Sequence, residues 1–76
     1  MDYKNKMITL TDGYQYVILE DTQYNGSTYV LANEVIDGDL GPTIVLFKVE
    51  GEEANPKFRE ERDLSVAEMV LAKMAH

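Results

Sequence analysis

The dipeptide Asn25-Gly26 constrains this chain more than any other feature. It separates two runs rich in aromatic and β-branched residues, "YQYVILEDTQY" (14–24) and "STYVLANEVI" (27–36). Asn and Gly both tolerate the positive φ that tight hairpin turns require, so the pair predicts an antiparallel hairpin whose return strand fades near Asn33. Loop length sets the register. A two-residue loop places Tyr24 opposite Ser27, with Tyr29 on the same face beside Thr22. A three-residue loop with Gly26 in the left-handed region turns Tyr29 to the face of Asp21 and Leu19. Both remain open at this level.

The flanking segments extend the hairpin into a sheet. "MITLT" (7–11) reads as a short first strand and Asp12-Gly13 as a tight turn. "DGDLGP" (37–42) reads as a loop. "TIVLFKVE" (43–50) follows it, with Ile44 and Leu46 on one face and Val45, Phe47 and Val49 on the other. A strand apolar on both faces needs cover on both sides, supplied by a curled sheet or by a second subunit. "GEEANP" (51–56) is an acidic loop, and "KFREER" (57–62) is a polar edge strand with Phe58 turned inward.

The tail "LSVAEMVLAKMAH" (64–76) carries a helix signature. Ser65 and Glu68 have capping-box spacing, and Leu64 and Met69 have that of a hydrophobic staple. Val66, Ala67, Val70, Leu71 and Met74 share one face at 100° per residue. The expected fold is α+β: an antiparallel β-meander of about five strands, curled or barrel-like, with one C-terminal α-helix packed on a face. Residues 1–76 form a single domain, with 1–6 free to be disordered and 64–76 as the helix.

Seventy-six residues with no cysteine leave little apolar surface uncommitted to folding, and exclude disulfides and thiolate metal sites. The formal net charge of −7, from 14 acidic and 7 basic side chains, disfavours nucleic acid and anionic membrane surfaces. Lys57, Arg59 and Arg62 are the one close basic group, and Glu60 and Glu61 sit among them. Neither a signal peptide nor a membrane span is expected, and a reducing cytoplasm suits the composition.

Chemistry-bearing residues are few. His76, at the end of the chain, is a poor general base, so no catalytic residue is expected. Glu20-Asp21 and Glu60-Glu61 alternate across strands and do not converge. Glu52-Glu53 lies in the acidic loop. Asp37 and Asp39 are the best weak metal candidates, but they lack the further oxygen ligands of a calcium loop. No cofactor is expected, because "DGDLGP" has neither the lysine nor the strand-to-helix context of a phosphate loop. The tyrosines serve first as core bulk, since there are two phenylalanines and no tryptophan. Tyr24 and Tyr29, with Ile44 and Leu46, are the interaction candidates, and Tyr24 at the hairpin end is the tyrosine expected to be exposed.

The order "MITLTDG…YVILEDTQYNGSTYVLA…TIVLFKVEGEE…KFREERDLSVAEMVLAKM" resembles the YrzB-like family of small acidic bacterial proteins of unknown function. The likeness runs from Met7 to about Met74, around Leu19 and Tyr24-x-Gly26-x-x-Tyr29-Val30-Leu31. It implies a fold and a bacterial cytoplasmic setting, and carries no catalytic residues. The expected function is a non-enzymatic protein-interaction module that binds an unknown protein partner or forms a homodimer. The alternative is a carboxylate-based metal- or small-ligand-binding protein.

Overall fold

The computed structural model describes residues 3–52 and 54–75. His76 and Glu53 therefore lie outside the described residues. Five strands, β1 (Met7–Thr9), β2 (Gln15–Tyr24), β3 (Ser27–Ile36), β4 (Asp39–Glu52) and β5 (Asn55–Glu60), precede α1 (Leu64–Met74). The strands pair antiparallel in chain order as one curled half-barrel sheet. The α+β meander expected from the sequence is the fold observed.

The Asn25-Gly26 turn takes the two-residue form, with positive φ at both residues (53° and 80°). Tyr24 pairs with Ser27 and Tyr29 with Thr22. The return strand does not fade at Asn33. Asp37 and Gly38 adopt φ of 52° and 83° and make a second tight turn, so Ile36 pairs with Asp39. The expected loop over 37–42 is thus replaced by a turn and the start of β4. Two positive-φ residues match the twist of a hairpin, which lets pairing resume at once.

Glycine and proline after that turn are accommodated in a bulge. Asn33 pairs with Ile44 and Val35 with Leu40, so Gly41, Pro42 and Thr43 stand opposite Glu34 alone. The buried Asn33 side chain fills this irregularity by donating from Nδ2 to the carbonyl oxygens of Glu34, Gly41 and Thr43 at 3.0, 2.9 and 3.4 Å. A second bulge, at Leu19, interrupts β2 between Ile18 and Glu20. Bulges bend and twist a sheet, and these two accompany its curl.

Curling gives β4 its two covered faces. On the concave side Ile18, Val30, Ala32 and Phe47 are buried with Tyr3, and Tyr16, Val45, Val49 and Phe58 pack against them. Edge-on ring pairs Tyr16–Phe47, Phe47–Phe58 and Tyr3–Phe58 carry the cluster from β2 round to β5 (centroids 5.1, 6.4 and 6.0 Å). Tyr3 is held there as its backbone N–H donates to Asp21 Oδ2 at 2.7 Å. On the convex side α1 lays Val66, Ala67, Val70 and Met74 over Tyr29, Leu31 and Leu46.

The helix begins one residue before the expected cap. Asp63 is the N-cap, its Oδ1 accepting from the N–H groups of Ser65 and Val66 at 3.0 and 3.4 Å. An aspartate two residues upstream satisfies the first free donors before Ser65 can, which places Ser65 inside the helix. The Leu64–Met69 staple does not form a buried contact; the two side chains are 78% and 54% exposed.

Candidate interaction face

The tyrosine hairpin is built into the helix layer. Tyr29 is buried against Leu46 and Val70, and the half-buried Tyr24 stacks edge-on to it at 6.4 Å. The Tyr29 hydroxyl donates to Glu61 Oε1 at 3.4 Å, while Glu61 Oε2 accepts from the Asp63 N–H at 3.1 Å. One carboxylate so ties the centre of β3 to the start of α1. Burial, with the Glu61 charge beside it, raises the Tyr29 pKa above its ordinary value. Lys73, near the far end of the helix, donates to the Gln23 carbonyl. These contacts make Tyr24 and Tyr29 the floor under the helix and leave little of Tyr29 for a partner.

Ile44 and Leu46 share a face of β4 but differ in environment. Leu46 lies beneath α1 at 7% exposure, whereas Ile44, two residues closer to the β3–β4 turn, is 55% exposed. The register shows what surrounds Ile44. Met7 pairs with Val17, Val17 with Asn33 and Asn33 with Ile44, a row that crosses four strands. The next row is Thr9, Gln15, Val35 and Leu40. Strand alternation puts both rows on the side that carries α1, and the helix stops short of them. Met7 and Leu40 are 58% and 65% exposed.

The helix contributes to the same opening. On a 100° wheel Leu64 and Leu71 lie on the flank opposite Lys73, and Lys73 reaches towards the Asn25-Gly26 end. Leu64 and Leu71 therefore border the uncovered rows, and Leu71, expected on the buried face, is 39% exposed. The result is a shallow apolar shelf, floored by β1 to β4 and walled by α1.

The two floor rows carry no charged side chain, and Glu34, paired with Tyr16, faces the concave side, while Asp37 and Asp39 lie at the β3–β4 turn. No Lys or Arg occurs between Met7 and Phe47. Lys6 sits over the Tyr3 ring on the concave side, and Arg62 turns to Glu60 at 3.8 Å.

Other candidates have different surroundings. Asp37 and Asp39 are exposed at the turn, and among the described residues no three of His, Cys, Asp and Glu converge as a metal set. An open cleft of about 570 Å³ lies between the β1–β2 turn and β5, lined by Leu10, Asp12, Pro56 and Phe58 among others. No helix among the described residues is long and apolar enough to cross a membrane. Comparison with known proteins returned no matching family model, no matching curated protein and no matching solved structure.

Proposed function

We propose that this chain is a small, non-enzymatic bacterial protein of the YrzB-like kind, acting in the cytoplasm by binding another protein chain through the apolar shelf around Ile44. The supporting observation is the division of one sheet face. Half of it is sealed by α1, while Met7, Leu40 and Ile44 on the other half stay more than half exposed. A domain this small has few apolar side chains to spare, so a contiguous group left in water marks an interaction surface.

A photo-crosslinking side chain placed at position 44 tests the reading, with one at Thr28 as control, in extract of the source cells. A discrete adduct from position 44 that is absent from Thr28 supports it. Two results overturn it: no adduct, or loss of the folded state on Ile44→Ser, which would make Ile44 a core residue.

A further inference from the structure

We infer that the seam between the two sheet edges, β1 and β5, takes an extended segment of another protein as an added strand that closes the half-barrel. This surface is an edge of the sheet, and it goes beyond the reading of the shelf. Among the described residues no ladder joins β1 to β5. The open cleft of about 570 Å³ lies between them, with Thr9 and Leu10 in one wall and Pro56 and Phe58 in the other.

The unpaired backbone selects the form of the occupant. The Glu61 N–H donates to the Leu46 carbonyl oxygen at 2.9 Å, one step beyond the Phe47–Glu60 pair. Bonding direction alternates along a strand of an antiparallel ladder. Lys57 and Arg59 therefore also turn to β4, while Phe58 and Glu60 turn their N–H and C=O groups outward. Pro56 shares the outward side and has only a carbonyl to offer. On β1, the Lys6 carbonyl oxygen accepts from the Ile18 N–H at 2.8 Å and the Leu10 N–H donates to the Tyr14 carbonyl oxygen at 2.9 Å. By the same alternation Ile8 faces β2, and Met7 and Thr9 point outward. Thr9 and Phe58, both in the cleft walls, thus each present a donor and an acceptor to the seam.

Direction follows from strand order. Each strand runs antiparallel to the one before, so β1 and β5 run the same way. One strand opposed to both continues the alternation and bonds on either side. Both of its own edges must be free. A helix is excluded, because its N–H groups are used internally. A folded second copy is excluded because β1 already pairs with β2 and β5 with β4, which leaves each a single edge. Copies are also kept from joining β5 to β5. A symmetric antiparallel pairing centred on Lys57, Phe58, Arg59 or Glu60 sets like charges opposite: in turn Lys57 with itself, Lys57 with Arg59, Arg59 with itself and Glu60 with itself.

Side chains set the pattern of the segment. Ile8, Leu10 and Phe58 are half-buried against the concave cluster, while Thr9 and Lys57 are exposed on the other face. The segment is apolar at alternate positions, which cover Leu10 and Phe58, and polar between them. From Asn55 to Phe58 the β5 wall of the cleft is roughly 13 Å long at about 3.3 Å per residue.

The test is amide hydrogen exchange of the ¹⁵N-labelled full chain with a capped peptide of about seven residues, valines alternating with serines, long enough to cross the cleft. Two further peptides carry backbone N-methyl groups, one on its valines and one on its serines, so that each has one strand edge blocked. The expected result is that the parent peptide slows exchange at Thr9 and Phe58 and that neither methylated form does. Thr9→Pro removes the outward donor of β1 and leaves the bonds to β2, and should weaken binding roughly tenfold. Thr9→Val keeps the donor and should bind as the parent chain does. The methylated peptides test the same pairing on the unaltered chain, so the inference stays testable if Thr9→Pro does not fold.

The inference is overturned if the parent peptide protects neither Thr9 nor Phe58, or if a folded Thr9→Pro binds equally well. Loss of binding on methylation of one set alone would mean pairing along a single edge and would overturn it too. So would protection of both amides without peptide that grows with protein concentration, which would assign the seam to a second copy.

Discussion

The Asn33 side-chain amide donates to the Gly41 carbonyl oxygen at 2.9 Å, across the bulge that separates Leu40 from Ile44. Asn33 is the buried polar residue among the described residues, at 9% exposure, and it sits between Val17 and Ile44 in the row that floors the shelf. Its amide donates to three carbonyl oxygens where the ladder between β3 and β4 is interrupted. Asn33→Leu is nearly the same size but removes the donor, so it should destabilise the fold by about 1–3 kcal/mol, the cost of orphaned buried acceptors. Chemical denaturation measures this, and the amide shifts of Leu40 and Thr43 should move more than those of the Asn25-Gly26 turn.

Ile44 and Leu46, two residues apart on one strand, should respond to truncation by very different amounts. Leu46→Ala opens a cavity under Val70 and Tyr29 and should cost about 2–5 kcal/mol. Ile44→Ala removes a side chain that is 55% exposed and should stay within about 1 kcal/mol, the span of exposed-strand substitutions. Thermal unfolding of the two variants side by side separates them. A loss for Ile44→Ala as large as that for Leu46→Ala would place Ile44 in the core.

This pair also shows how far the sequence could be read. Alternation predicts correctly that Ile44 and Leu46 share a face, because the period of a strand is fixed by its backbone. It is silent on where along that face the helix stops, since that depends on the crossing of α1, fixed by the Glu61 and Lys73 contacts. Asn25-Gly26 was legible as a turn because its dipeptide demands positive φ. Asp37-Gly38 has the same property, yet the glycine and proline after it imitate a loop. The bulge that absorbs them depends on Asn33, eight residues upstream of Gly41, and no local pattern announces that.

The helix start offers a test of which residue caps. Asp63 accepts from two backbone N–H groups, so Asp63→Ala should cost about 1 kcal/mol, a usual value for a lost N-cap. Ser65 lies within the first turn, and Ser65→Ala should change stability by no more than a few tenths of a kcal/mol, as alanine is the better interior helix residue. Loss of stability on Ser65→Ala with none on Asp63→Ala would restore the capping box over Ser65 and Glu68.

Alkaline pH should loosen the hairpin from the helix through Tyr29. Burial, and then the neighbouring Glu61 charge, raise its folded-state pKa above the ordinary 10.0. Tyr16 is raised too, by burial and then by Glu34. A group whose pKa is higher folded than unfolded contributes stability that is complete below the unfolded value and is lost as pH climbs through the folded one. The free energy of unfolding should therefore be flat with respect to these tyrosines at neutral pH and decline above pH 10.0. Tyr29→Phe keeps the ring against Leu46 and Val70 and removes the ionisable hydroxyl together with a long 3.4 Å hydrogen bond. At pH 7 the variant should lose no more than about 1 kcal/mol. Above pH 10.0 its stability should fall less steeply than that of the parent, and the absorbance change of tyrosinate formation should show one fewer late-titrating group. Equal alkaline slopes for parent and variant would mean that Tyr29 ionises in the folded domain as freely as in the unfolded chain, and that the Glu61 contact does not join β3 to α1.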